Sequence, residues 1–283
     1  MTIQTSVSNP HAAHPTTLTS LARSIGKNFH LIMQLTKREV AGRYKGSLLG
    51  ITWSFFNPLL MLAVYTFVFS VAFKARWGSD GEDGKIQFAL VLFVGLIVHG
   101  FFSEVLNRAP SLVLADINLV KKVVFPLEIL PLVSVMGALF HCVVSLGVLL
   151  IVQLCFNGYL SWYVILTPVV FLPLLVLAAG LAWILSSLGV YLRDVNQTVG
   201  IITSISMFLA PVFYPVTSLP DNMQGWLFIN PLTFIIEQAR NVLIWGKLPD
   251  WVGLAIYMLL ASCVAWLGYG WFQKTRRGFA DVL

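Results

Sequence analysis

The residues able to do chemistry in this chain are few, and most sit inside apolar runs. His99 and Glu104 fall in or at the end of one such run, and Glu128 and His141 lie in the next. Ionisable groups at that depth are the raw material of proton relays. Glu104 precedes Arg108 by four residues and Glu128 follows Lys122 by six, so both carboxylates read as charges anchored near a water boundary. The two histidines read as buried, hydrogen-bonded side chains. A further pair, Glu237 and Arg240, stands three apart in a segment of helical period, a spacing that brings the two charges together. No Gly-x-x-x-x-Gly-Lys-Ser/Thr sequence occurs, and no Ser-His-Asp or paired-carboxylate arrangement shares a surface. The chain is therefore read as having no catalytic site of its own. Cys142, Cys155 and Cys263 lie in apolar runs with neither zinc nor disulfide spacing, and no metal site is expected. Transport remains, driven by an ion gradient or by a separate subunit.

The elements that position these residues are membrane spans. Of 283 residues, 58% are hydrophobic and only 11% are charged, against about 25% charged in soluble domains. Leu48–Phe73 holds no charge and, at about 1.5 Å per residue, reaches roughly 39 Å, enough for a hydrocarbon core of about 30 Å. Five more apolar runs follow, so the fold is read as an all-α integral membrane protein of six transmembrane helices. The spans run over about 48–73, 86–105, 123–156, 162–192, 198–214 and 251–272. Pro126 and Pro131 predict a tilted or broken start to the third.

Residues 1–19 read as a disordered tail, without the apolar core of a cleavable signal peptide or a metal site at His11 and His14. Over 20–47, Leu21, Ile25, Phe29, Ile32 and Leu35 recur at helical steps, predicting an amphipathic helix in the cytoplasmic interface with Ser20 as a candidate N-cap. Residues 215–250 contain two apolar pieces too short to span, opened at Pro220 and Pro231; they predict re-entrant or interfacial helices on the outer face. Residues 273–283 form a cytoplasmic tail. With six spans both termini share a side. Thirteen Lys and Arg residues fall on that side, against five opposite: Lys74, Arg76, Lys85, Arg240 and Lys247. That bias makes the termini cytoplasmic and explains the net charge of +6 without nucleic acid.

Two stripes could line a translocation path. The first span presents Thr52, Phe56, Thr66 and Ser70 close to one face, and the fifth presents Thr203, Ser206, Phe213 and Tyr214. The same residues also suit close helix packing. Ala179, Ala182, Ser186 and Gly189 in the fourth span are assigned to packing. Between the second and third spans, Asn107–Lys122 alternates Leu112, Val113, Leu119 and Val120 with Arg108, Asp116, Lys121 and Lys122, a pattern suited to docking in a cleft of another subunit. On the outer side Pro231, Phe234, Glu237, Arg240 and Trp245 would close the path.

Four stretches in order resemble the permease subunit of the type-2 ABC exporters, in their polysaccharide and O-antigen export branch. They are Arg43-Tyr44-Lys45-Gly46-Ser47-Leu48-Leu49-Gly50 with Trp53 and Asn57-Pro58-Leu59; Lys121-Lys122-Val123 with Phe125-Pro126-Leu127-Glu128-Ile129-Leu130-Pro131; Leu188-Gly189 with Tyr191 and Arg193-Asp194; and Asn230-Pro231-Leu232-Thr233 with Glu237 and Arg240. The resemblance covers all but the first 20 or so residues. It implies a homodimer in a bacterial inner membrane, paired with a separate ABC ATPase that holds the ATP and magnesium. It also implies a lipid-linked glycan as substrate, and coupling contacts that include Arg193 and Asp194. The alternatives are a drug or other lipid-like cargo, an ion-coupled secondary transporter, or a non-transporting scaffold.

Overall fold

A computed structural model describes residues 17–68, 82–115 and 125–283. Helix α1 (Leu18–Tyr44) begins earlier than the sequence suggests. Thr17, not Ser20, is its N-cap: the Thr17 hydroxyl accepts from the Ser20 N–H at 3.3 Å, and Ser20 Oγ donates to the Thr17 carbonyl. A 3₁₀ turn at Gly50–Thr52 leads into α2 (Trp53–Thr66), which carries Pro58 in its interior. Helix α3 (Glu82–Arg108) continues through a 3₁₀ turn, Ala109–Ser111, into the short α4 (Leu112–Ala115). The break foreseen between Pro126 and Pro131 is a 3₁₀ turn, Leu127–Ile129, before α5 (Leu130–Asn157); α5 stops at Gly158, whose φ of 72° is the left-handed C-cap geometry. Helix α6 (Thr167–Tyr191) follows another 3₁₀ turn.

Helix α7 (Val195–Leu209) is shorter than the 198–214 span read from the sequence. It ends because Ala210 precedes Pro211, and the proline ring pushes the preceding residue into extended backbone, here ψ 151°. Fifteen residues reach only about 22 Å. Two short helices follow, α8 (Asp221–Leu227) and α9 (Pro231–Arg240), the latter running on through a π-helical turn, Asn241–Trp245. Helix α10 (Trp251–Thr275) and a short α11 (Phe279–Val282) close the chain. Among the described residues four stretches are long and apolar enough to cross a membrane: Ile86–Ala115, Leu127–Asn157, Trp162–Tyr191 and Trp251–Gly278.

Helix α3 is the centre of the bundle, buried along most of its length among α2, α5, α6, α7 and α9. The tightest packing joins α6 to α10. A methyl at Gly268 would lie 2.2 Å from the Gly180 carbonyl oxygen, so the two backbones touch only because both residues are glycine. Gly189 is pressed in the same way against Pro110, and Ala179, Ala182 and Ser186 are buried beside it. Glu128 ties another corner. Its carboxylate accepts from Ser24 of α1 at 3.0 Å and from Arg276 after α10 at 2.6 Å, and its carbonyl accepts from the Trp183 indole at 2.9 Å.

Candidate functional site

Helix α1 runs beside the first half of α5, with Ile32 packed on Ile129 and Val133. Glu39 and Arg43 stand one turn apart on α1, and Glu104 and Arg108 one turn apart on α3. The two pairs meet in opposite order: Arg108 bonds Glu39, and Arg43 Nη2 lies 2.5 Å from Glu104 Oε1. The sequence placed Glu104 as a charge near a water boundary; in the structure Glu104 and Arg108 are each paired with α1. His141 of α5 completes the group, its Nδ1 3.0 Å from Glu104 and its Nε2 3.1 Å from the Tyr44 hydroxyl. Both contacts are satisfied when Nδ1–H donates to the carboxylate and Tyr44 donates to Nε2. Burial first, with Glu104 adding and Arg43 opposing, holds the Tyr44 phenol above its ordinary pKa, so it keeps the proton it donates.

This charge cluster forms one wall of a cavity of ≈540 Å³. The opposite wall is a face of α2 carrying Trp53, Asn57, Met61 and Tyr65, four residues spaced a turn apart. Phe93 and Ile97 of α3 make the deeper, apolar end. The cavity is thus polar at the α1 end and apolar within. His99 lines it but is committed elsewhere: buried, it donates from Nε2 to the Thr203 carbonyl of α7 at 3.0 Å.

The two candidate path stripes fare differently. Thr52 and Phe56 are exposed on the α2 arm, while Thr66 returns its hydroxyl to the Leu62 carbonyl at 2.6 Å. On α7, Thr203 is buried and donates toward Asn107 and its own helix carbonyls, and Ser206 bonds the Thr203 carbonyl. Those two hydroxyls join α3 to α7 and do not face an open path in the single chain, so packing has claimed them. Phe213 lies beside Tyr65 and Phe208, and Tyr214 donates to the Phe208 carbonyl at 3.0 Å. Ser70 lies outside the described residues.

Pro231 occupies the first turn of α9, where its missing N–H has no intrahelical partner, and Asn230 caps the helix by accepting from the Leu232 N–H at 3.0 Å. Phe234 stacks on Tyr257 of α10, ring centres 6.0 Å apart, and Trp245 is half-buried at the close of the π turn. Arg240 is fully buried. Its Nη1 donates to Glu237 at 2.8 Å, Nε to the Val91 carbonyl of α3 at 3.2 Å, and Nη2 to the Val212 carbonyl at 3.1 Å. One guanidinium therefore holds α9, α3 and the turn after α7 together. Gly95 leaves room for it, since a methyl there would press on both Val212 and Arg240.

Of the proposed coupling residues, Arg193 and Asp194 are exposed in the α6–α7 corner. Arg108 is taken by Glu39, and Val113 is fully buried in the chain's own core, so neither stands free for a partner. Asp116, Leu119, Val120, Lys121 and Lys122 lie outside the described residues.

The cluster of Arg43, Tyr44, Glu104 and His141 is the feature that the residue-by-residue reading missed. Its signal was available: Glu-x-x-x-Arg occurs at 39–43 and again at 104–108, and two such helices laid antiparallel pair each acid with the other's base.

Residues 30–244 match the family described as ABC-2 type transporter. Over 265 residues the chain is 28% identical to the O-antigen export system permease protein RfbA of Myxococcus xanthus, covering 93% of this chain and 99% of that one. It is 25% identical to the protein of the same name from Klebsiella pneumoniae, over 92% of this chain and 97% of the relative. With the polysialic acid transport protein KpsM of Escherichia coli it shares 21% identity, over 83% and 90% of the two lengths.

Proposed function

Because the chain belongs to the ABC-2 type transporter family, we propose that it is the membrane permease of a polysaccharide exporter, moving a lipid-linked, O-antigen-like glycan across a bacterial inner membrane. The observation that carries this reading is the end-to-end similarity to O-antigen export permeases, which runs through α2, the cavity and the α8–α9 segment alike. Energy comes from a separate ABC ATPase, with which permeases of this family work, and that partner binds the ATP and magnesium. The ATPase docks through Arg193, Asp194 and residues 116–122, and both termini lie on the cytoplasmic side.

Two copies of the chain flank the glycan. In one copy α2 and α7 leave Phe56, Leu60, Ile205 and Phe208 uncovered, which supports a path completed by a second subunit. The α8–α9 segment, held by Arg240, closes the path from outside. Removing the chain from cells should abolish surface polysaccharide and leave the lipid-linked glycan inside, and an ATPase unable to hydrolyse ATP should have the same effect. Unchanged surface polysaccharide, with altered resistance to an amphipathic drug, would replace this reading with the drug-cargo alternative.

A further inference from the structure

The α2 wall of the cavity carries a side chain with unmet needs. Asn57 sits on α2, exposed in the single chain, and among the described residues its amide has no hydrogen-bond partner. An amide left so in hydrocarbon is costly, whereas one facing a polar ligand or water is not. The next residue, Pro58, has no N–H to give the Ser54 carbonyl, so a backbone acceptor is released on the same wall. One turn before Asn57, the indole of Trp53 is 41% exposed and borders the same space. A flat ring, an amide and a free carbonyl thus stand together on one face.

Across the cavity stands the α1–α3–α5 cluster. Arg43 and Glu104 neutralise each other, and Arg108 and Glu39 do the same, so the wall carries polarity without net charge. Both Glu104 oxygens also meet His141 Nδ1, and Arg43 Nη1 lies 3.2 Å from the same nitrogen, yet a guanidinium's five N–H donors and a carboxylate's roughly four acceptor sites exceed what these contacts occupy. Such a wall offers a phosphate little, because its cation is already matched. It offers a sugar donors and acceptors side by side, which is what adjacent hydroxyls need. A volume of ≈540 Å³ falls within the range of about 300–1,000 Å³ for small-molecule sites.

We propose that this cavity is a binding subsite for a neutral saccharide unit, with Trp53 as the stacking platform and Asn57, Arg43 and Glu104 as hydroxyl partners. The inference rests on the glycan-export reading and adds to it a place within a single subunit, apart from the surface the two copies share. It also gives α1 a role: through Arg43 and Tyr44 the interface helix forms the polar end of the subsite.

The test uses the full chain with its ATPase, in cells that display the polysaccharide. The photoreactive amino acid p-benzoylphenylalanine replaces Met61, which lines the cavity, or Tyr65 as a second lining position. In a control it replaces Leu259, 65% exposed on α10 and away from the cavity. After irradiation, the purified chain is stained for carbohydrate on a gel and the adduct is weighed. A carbohydrate-bearing adduct should form at Met61 or Tyr65 and be absent at Leu259. Asn57→Leu should lower it about tenfold, the effect of losing one or two hydrogen bonds. Trp53→Ala should lower it likewise, and Trp53→Phe should restore it; equal melting temperatures show that the variants fold. Adducts holding only phospholipid or a second copy of the chain overturn the subsite, as does a carbohydrate adduct indifferent to Asn57 and Trp53. Export that continues with no adduct at either lining position overturns the subsite alone. Surface polysaccharide that survives removal of the chain overturns the export reading as well.

Discussion

Arg240→Met tests whether the outer segment is held by one buried guanidinium. Methionine keeps most of the volume and removes the charge, so the loss is electrostatic and not a large void. In the structure, the Val91 and Val212 carbonyls each lose a charged donor, at about 1.5 kcal/mol apiece. Glu237 loses its partner too, but its side chain is 33% exposed and water replaces part of the interaction, so that contact adds only about 1 kcal/mol. The total is about 4 kcal/mol, which lowers the melting temperature of the purified chain by on the order of 10 °C. Glu237→Gln should behave differently, because Arg240 keeps both carbonyls; the expected loss is about 1 kcal/mol or less. In the double variant the two effects should fall short of their sum, since no charge is left without its partner. Thermal unfolding in detergent, in chains whose exposed Cys155 and Cys263 are changed to Ser, is followed by a thiol-reactive dye that reports exposure of the buried Cys142 and measures all three. The reasoning is falsified if Arg240→Met melts within about 2 °C of the parent, or if Glu237→Gln costs as much as Arg240→Met.

Other outcomes follow from the same contacts. Gly268→Ala forces a methyl into the Gly180 carbonyl and should cost about 1–3 kcal/mol. Gly200→Ala, with nothing within 4 Å, should be neutral or slightly stabilising, and paired melting curves read both. Replacing Leu119 and Val120 together with Asp, or Arg193 with Glu, should remove the ATPase from the purified complex while leaving membrane insertion and melting unchanged; undiminished co-purification refutes the docking face. His99→Gln should keep most export, since an amide still reaches the Thr203 carbonyl. Collapsing the proton gradient at constant ATP should not stop export at once, and an immediate stop would favour an ion-coupled transporter.

Four of the six apolar runs were readable as membrane-crossing helices because apolar length is a composition signal, and composition survives any rearrangement of the helices. The packing role of Ala179, Ala182, Ser186 and Gly189 was readable for a related reason: small residues at helical spacing have few other uses. The end of α7 was open to reading but missed. The run to Tyr214 is continuously apolar, and the apolar count outweighed Pro211, whose effect on Ala210 is purely local. The hydroxyls of Thr203 and Ser206 show a different limit. Their type says they bond something, but only the position of α3 decides that the partner is Asn107 or His99 and not a sugar. The Arg43–Glu104–His141 contacts join residues far apart in sequence; the repeated Glu-x-x-x-Arg spacing hints at the ion pairs, but only the packing of α1 on α5 brings His141 to them.

The glycine contact between α6 and α10 has a consequence for the order in which the chain is built. Ser187 and Thr275, bonded beside that contact, are separated by 88 residues, and at about 5–20 residues per second the ribosome needs on the order of ten seconds to make such a length. Throughout that interval the backbone groove at Gly180 faces lipid with nothing in it. Small-residue grooves of this kind attract any helix able to come close. Nascent α6 is therefore open to a wrong neighbour until α10 arrives, and a larger residue at position 180 would shut out the stranger and the rightful partner alike.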